Sequence, residues 1–287
     1  MNIKDYFKKA KKENWAIGQF NFSTLEQLKA IISAAEKLNS PVILGTSERE
    51  SMFIGLKQAV ALVDSYRQDK KLVLFLNLDH GKSFDYIKEA VDADYDMVHF
   101  DGSGLNLKEN IEVSKKIVEY AHKKGVLVEG EINTIAGTSK VLEKIPETIE
   151  ENLTDPDQAS EFIKETEVDS LAVSIGSFHG IEVSGKNPVI DFNRLKEINE
   201  KTPEKFFVLH GGSGIAVQDI KKIIKQGIVK INVNTELRLA YANALKQVLK
   251  EKPQEATPYK LMPEVVESVQ KIVEQKIKLF GSDDKYD

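Results

Sequence analysis

Short apolar runs alternate with helix-period segments along most of the chain. Eight runs read as strands: Trp15–Phe20, Pro41–Thr46, Leu72–Leu78, Met97–Phe100, Val126–Ile132, Ser170–Ile175, Phe206–Leu209 and Val229–Val233. They are rich in Val, Ile, Leu and Phe with little polar alternation, the pattern of parallel strands covered on both faces. Between them, Leu28, Ile31, Ile32 and Ala35 recur at helical spacing in Leu25–Leu38, and Ile111, Ser114, Val118 and Ala121 mark one face of Asn106–Lys124. Asp155-Pro156 opens a helix over Asp157–Glu165, with Asp as N-cap and Pro in the first turn. Ile215–Gln226 and Glu236–Leu249 follow the seventh and eighth strands.

Eight strands each followed by a helix predict an α/β fold, a (β/α)₈ TIM barrel, which typically takes about 250 residues. A doubly wound sheet is the alternative, but it rarely strings together eight such units without an antiparallel strand. No linker interrupts the pattern, so residues 1–287 read as one barrel domain with a helical extension over about 253–280. Pro253, Pro258 and Pro263 set off the last helix, Glu264–Phe280, whose Val265, Val269, Ile272, Val273, Lys276 and Phe280 leave a mostly apolar stripe for the barrel or another subunit. Two long segments break the rhythm, Asn133–Leu153 and Gly176–Val189. Loops of that length are often lids, and both follow strands, which puts them on the face where barrel enzymes hold their sites.

Composition narrows the chemistry. The chain has 287 residues, 41% hydrophobic and 30% charged, ordinary values for a globular protein. Its 40 Lys and Arg against 45 Asp and Glu give a formal charge of −5, which offers no electrostatic case for nucleic acid or an anionic membrane. No apolar run is long enough to span a bilayer, and the first residues lack the apolar core of a secretion signal, so a cytoplasmic protein is expected. With no Cys, disulfides, thiolate metal sites and Cys nucleophiles are excluded, and a metal must rest on His, Asp, Glu or backbone oxygen.

Three of the five His are followed by Gly: His80, His179 and His210. His80 and His210 end the third and seventh strands and His179 lies just past the sixth, so all three face one barrel mouth. Three imidazoles with a fourth position open are the pattern of a catalytic metal. His99, inside the fourth strand, reads as a core residue or a neighbour of the site, and His122 as solvated. Asp79, beside His80, is a candidate general acid/base. Glu129 and Glu131 alternate in the fifth strand, face the same way and call for a nearby cation; Glu131, nearer the strand end, is the better metal-proximal group. Gly211-Gly212-Ser213-Gly214 and Asn232-Val233-Asn234-Thr235 each lead into a helix after strands seven and eight, where barrels usually bind phosphate.

These residues, with Gly18-Gln19-Phe20-Asn21, Leu78-Asp79-His80-Gly81, Asp101-Gly102-Ser103, Val128-Glu129-Gly130-Glu131 and Lys230–Glu236, resemble the class II, metal-dependent ketose-bisphosphate aldolases over nearly the whole chain. The resemblance is to the short type that includes fructose- and tagatose-bisphosphate aldolases. It implies zinc, or another divalent ion, on His80, His179 and His210, with Asp79 handling the proton at the carbon–carbon bond and Glu131 bordering the metal. It implies Asn232 on the dihydroxyacetone-phosphate moiety and its enediolate, and a phosphate cradle of Gly180, Gly211, Gly212, Ser213, Asn234 and Thr235, with Lys186 contacting the phosphate. A monovalent cation, Na⁺ or K⁺, often shares that cradle. Asn21 and Ser47 match positions near the substrate, and Arg238 one that reaches the distal phosphate of a neighbouring subunit's substrate. The implied partners are a phosphorylated sugar and further copies of the chain, as a homodimer or homotetramer.

The chain departs from that pattern on one side. Ser103 is followed by Gly104-Leu105-Asn106-Leu107 instead of a His and an aromatic-containing stretch, and the lid acids give way to Ala136-Gly137-Thr138-Ser139-Lys140. Met262–Val266 lacks the usual arginine. An aldolase with a non-standard aldehyde partner is one reading, turnover of fructose 1,6-bisphosphate another. A non-catalytic sugar-phosphate-binding relative is a rival, as is a metal-dependent lyase of 2-keto acids, which would want more arginines at the mouth.

Overall fold

Eight parallel strands close on themselves into a TIM barrel, seen in a computed structural model that describes residues 2–184 and 188–286. In chain order the elements are α1 (Ile3–Glu13), β1 (Ile17–Asn21), α2 (Leu25–Lys37), β2 (Val42–Ser47), α3 (Glu48–Ile54), α4 (Leu56–Lys70), β3 (Leu74–Gly81), α5 (Phe84–Asp92), β4 (Met97–Asp101), α6 (Leu107–His122) and β5 (Leu127–Glu131). Then come β6 (Gly137–Leu142), a 3₁₀ turn (Glu147–Asn152), α7 (Pro156–Thr166), β7 (Ser170–Ala172), β8 (His179–Glu182), α8 (Phe192–Lys201), β9 (Phe206–Leu209), α9 (Val217–Lys225), β10 (Ile228–Val233), α10 (Thr235–Glu251) and α11 (Pro258–Phe280). The barrel order is β1-β10-β9-β7-β5-β4-β3-β2, and all its pairings are parallel.

Strand alternation sorts the barrel residues by face. Outward residues such as Phe20, Leu44, Leu76, Val98, Val128, Leu171, Phe207 and Ile231 join the helices in the main core. The inward face is stratified. At the N-terminal ends of the strands, Ile17, Ile43, Phe75, Met97 and Phe206 meet Tyr6, Phe7 and Trp15. Tyr6 and Phe7 belong to α1, a helix the strand count does not predict, held by a capping box between Asn2 and Asp5. It plugs the base of the barrel. Above that plug the inward side chains turn polar, with Gln19, Asn77, His99, Glu129 and Lys230 all fully buried.

Two expectations change. Both long loops contain a strand: β6 and β8 pair in parallel as a separate two-stranded sheet. The last helix begins at Pro258, not Glu264, and keeps Pro263 inside. Pro258 sits at the first turn, where its missing N–H costs nothing, and Pro263 falls just beyond it. The helix packs on α2 and α10 of the same chain. Among the described residues, no helix is long and apolar enough to cross a membrane.

Candidate active site

Strands β1, β2, β3 and β4 run one to three residues further at their C-terminal ends than the apolar pattern suggests, and the added residues are functional ones: Asn21, Ser47, Asp79 to Gly81, and Asp101. All of them except Gly81 ring a cavity of about 360 Å³ at the barrel mouth, completed by Glu131, His179, His210, Gly211, Ser213, Asn232, Asn234, Thr235 and Arg238.

Neighbouring strand residues normally point to opposite faces, yet Asp79 and His80 both enter this cavity. His80 adopts a left-handed backbone, φ +52°, and the β3–β4 register shifts between Leu78 and Gly81. The amide of His80 donates to His99 Nδ1 at 3.1 Å. A non-glycine residue held in this conformation stores strain of about 1–3 kcal/mol, which the surrounding bonds must hold.

The three expected imidazoles converge. His80 Nε2 lies 3.2 Å from His179 Nε2 and 3.0 Å from His210 Nδ1. The opposite nitrogen of each ring has an acceptor: Asp101 at 2.9 Å for His80, the Ile135 carbonyl at 3.1 Å for His179, and Glu129 at 2.7 Å for His210. Those acceptors favour the outer nitrogen for each proton, which turns His80 Nε2 toward both other rings; burial lowers the His80 pKa, but Asp79, Asp101 and Glu131 outweigh it and raise it. Burial lowers the pKa of His179 to about 4 and of His210 to about 3, which keeps both rings neutral. His80 Nε2 stands from both His179 and His210 at close to the spacing of about 3.4 Å that a tetrahedral ion with bonds of about 2.1 Å requires. The residues therefore fit a divalent metal, with His80 at the hub. Two tighter groupings of possible ligand atoms share His80: one with Asp79, His99 and His210, the other with Asp101 and Glu131.

The barrel centre supports this cluster. Glu129 Oε1 holds His210, and its Oε2 lies 2.6 Å from Lys230 Nζ, with both side chains fully buried. The cation that the Glu129–Glu131 pair called for thus includes a lysine as well as a metal site. Burial opposes a charge on Glu129, but Lys230, His99 and His210 hold its pKa well below the usual range. His99 Nε2 lies 3.2 Å from Glu131. Burial also works against a charge on His99, yet Glu129, Asp79 and Glu131 raise its pKa overall, and the His80 amide at Nδ1 confines the proton to Nε2.

Asp79 accepts from Asn232 Nδ2 at 3.0 Å and Asn21 Nδ2 at 2.9 Å. Burial would raise its pKa, but His80, His99 and His210 pull it well below the carboxylate range. Gly211, Ser213, Asn234 and Thr235, which the resemblance assigns to the phosphate, line the cavity beside the N-terminus of α10. Gly211 has φ +66°, and a Cβ there would lie 2.2 Å from the Phe178 carbonyl. Gly180 and Gly212 do not line the cavity, and the Gly212 amide donates to the Asn232 carbonyl at 3.0 Å. Lys186 lies outside the described residues. His122 is half-exposed, 2.8 Å from Asp169 and away from the mouth.

Sequence reasoning missed three residues. Lys82 lines the cavity and pairs with Asp101. Glu50, on α3, is 6% exposed and bonds Arg238 Nη2 at 2.6 Å. Lys230 carried a readable signal, a lone charge inside an apolar strand; Lys82 and Glu50 sit in polar stretches that carry none. The lid strand β6 contributes Gly137, Thr138 and Ser139 to the cavity.

A closed parallel barrel with neutral imidazoles, carboxylates and a helix N-terminus around one cavity is the architecture of a metal-dependent barrel enzyme. The family model for fructose-bisphosphate aldolase class-II matches residues 1–285. The chain is 36% identical over 290 residues to the fructose-bisphosphate aldolase of Staphylococcus aureus (strain Mu50 / ATCC 700699), covering 99% of this chain and 98% of that one. It is 39% identical over 279 residues to the 6-phospho-5-dehydro-2-deoxy-D-gluconate aldolase of Shouchella clausii (strain KSM-K16), covering 96% and 92%. The crystal structure of the YdjI aldolase from Escherichia coli K12 superposes with a TM-score of 0.83 at 31% identity, covering 100% of this chain and 99% of that one. The chain belongs to the class II fructose-bisphosphate aldolase family, and it is an aldolase, a carbon–carbon lyase of a metal-dependent family.

Proposed function

We propose that the protein reversibly cleaves a ketose phosphate, fructose 1,6-bisphosphate or a relative, to dihydroxyacetone phosphate and an aldehyde, with zinc held by His80, His179 and His210. The observation that carries the reading is His80 Nε2 lying 3.2 Å from His179 Nε2 and 3.0 Å from His210 Nδ1, beside a fixed Asp79 carboxylate. When bound, the metal supplies Lewis acidity to the ketone and hydroxyl oxygens of the three-carbon phosphate.

The side chains do the rest. Asp79, kept ionised and held by two amides, takes the proton from the hydroxyl on the carbon that becomes the aldehyde. The electron pair of the breaking carbon–carbon bond then forms a double bond to the ketone carbon as the carbonyl π pair moves onto its oxygen, leaving the three-carbon phosphate as its enediolate. Asn232, 7% exposed and with Oδ1 unpaired, holds that fragment. Gly211, Ser213 and Thr235 hold its phosphate against the start of α10. Among the described residues, the carboxylates lining the cavity are Asp79, Asp101 and Glu131. On this reading proton transfer at carbon uses these inner groups, since the lid strand offers hydroxyls at Thr138 and Ser139 and no acid.

The test is to incubate zinc-loaded protein with dihydroxyacetone phosphate in D₂O and follow exchange at the hydroxymethyl carbon by NMR. Exchange should vanish with EDTA and return with zinc. Asp79→Asn should still bind the metal while losing about 10²–10⁴-fold in cleavage rate. Metal-independent exchange, or none at all in a protein that binds dihydroxyacetone phosphate, would sink the proposal and favour a non-catalytic sugar-phosphate binder.

A further inference from the structure

Glu50 stands apart from the chemistry above. It follows β2 in the first turn of α3, and its oxygens gather donors from four residues that the sequence assigns to substrate. Oε1 accepts from Arg238 Nη2 at 2.6 Å and Asn234 Nδ2 at 3.3 Å, and Oε2 from Asn21 Nδ2 at 3.0 Å and the Ser47 amide at 2.8 Å. Those four residues line the cavity, and Glu50 stands behind them.

Strand order gives the mouth two ends. In the run β2-β1-β10-β9, Ser47 and Asn21 lie on one side of Asn232, and Gly211 and Ser213, after β9, on the other. At the Gly211 end the nearby acid, Glu236, is turned onto the Gly214 amide at 3.0 Å and Lys276 at 2.7 Å. At the Asn21 end a buried carboxylate already occupies the donors. The two cations among the described lining residues are each tied to an acid of the same chain, Lys82 to Asp101 and Arg238 to Glu50. A phosphate brings a charge of about −1.5 to −2. At this end it would compete with Glu50 for the same donors and be repelled by it. A hydroxyl would not, because it can donate to a carboxylate while accepting from an amide or guanidinium.

We propose that Glu50 makes the Asn21–Ser47–Arg238 end a selector for an uncharged, hydroxyl-bearing group, so that the preferred ketose carries one phosphate, on its three-carbon end, and not two. This rests on the aldolase reading above. Selection works by like-charge exclusion, which discriminates between partners more than it adds affinity.

The test uses the zinc-loaded full-length protein and two substrates that differ only in the distal phosphate, fructose 1-phosphate and fructose 1,6-bisphosphate. Cleavage kcat/KM is measured for wild type, Glu50→Gln and Glu50→Asp. Binding of the corresponding hexitol 1-phosphate and hexitol 1,6-bisphosphate, which lack the ketone and cannot be cleaved, is measured by calorimetry. Wild type should favour the single phosphate, and Glu50→Gln should move the bisphosphate-to-monophosphate ratio toward the bisphosphate by about tenfold or more in both assays. Glu50→Asp keeps the charge and should keep the wild-type ratio even if overall activity drops. A wild type that prefers the bisphosphate overturns the proposal. So does a Glu50→Gln that weakens both ligands equally, which is the signature of a purely structural role through Asn21 and Asp79. Failure of the aldolase reading shows separately, as no cleavage and no deuterium exchange, while the hexitol ratio still decides the role of Glu50.

Discussion

Replacing Lys230 with Met tests whether the polar barrel centre is an integrated support for the metal cluster. Lys230 and Glu129 are both fully buried and 2.6 Å apart, so Lys230→Met removes one partner and leaves a carboxylate without its counter-charge. Breaking a buried pair in this way costs about 3–5 kcal/mol. For a chain of this size that corresponds to a fall in Tm of about 6–10 °C, taking about 2 °C per kcal/mol. Unfolding should be followed in metal-stripped protein, so that metal release does not add to the loss. The double variant Lys230→Met/Glu129→Gln, which removes the stranded charge as well, should lose less than Lys230→Met alone. A second readout is metal affinity. Without Lys230, Glu129 has His210 as its nearest partner, at 2.7 Å, and favours the protonated ring, which cannot ligate. Chelator competition should show affinity about 10–100-fold weaker, the range for losing a group that orients a ligand. A single-variant loss below about 1 kcal/mol, or a double variant equal to the sum of the two singles, would refute the reasoning.

Other outcomes follow from the geometry. Gly137 has φ +91°, and a Cβ there would lie 2.2 Å from the His179 carbonyl, so Gly137→Ala should loosen the β6–β8 sheet and weaken metal binding, measured by chelator competition, with little change in the unfolding midpoint of the stripped protein. Asp169 is pushed up by burial, but the Val128 amide, His122 and Lys4 outweigh that and lower its pKa. Its contribution to stability is therefore complete above the unfolded value of about 3.9 and lost as pH falls through the lower folded value. Asp169→Asn should flatten the acid limb of a urea-midpoint-versus-pH profile; an unchanged slope below about pH 4 would count against it. Gly211→Ala should raise KM for dihydroxyacetone phosphate and lower stability, because the new Cβ meets the Phe178 backbone rather than a flexible side chain.

The barrel was legible because its outward residues are continuously apolar, from Phe20 to Ile231, and the imidazoles because His80, His179 and His210 each precede a glycine. What stayed hidden has physical causes. The strand tips at Asn21, Ser47 and Asp101 are polar, so hydropathy ends them early, although barrel pairing carries them on. α1 was passed over because its apolar residues are few, yet Ile3, Tyr6, Phe7 and Ala10 all fall on one buried face. β6 is largely exposed, so its sequence shows no buried alternation, and its pairing depends on a partner about forty residues away. Glu50 acquires its meaning from Arg238 and Asn234, a contact that no local pattern encodes.

The two-stranded sheet of β6 and β8 has a consequence for the history of the family. Its strands are joined by main-chain pairing, and most side chains of β6 face outward. Beyond Gly137, whose lack of a side chain the pairing needs, substitution at the exposed positions of β6 leaves the main-chain pairing and the core untouched. His179, fixed at the start of β8, carries an imidazole of the site, a constraint that the exposed side chains of β6 do not share. A lineage can thus rewrite the outer wall of its pocket, exchanging acids for hydroxyls, before any change reaches the machinery beneath, and new substrates become accessible through neutral intermediates rather than through damaged ones.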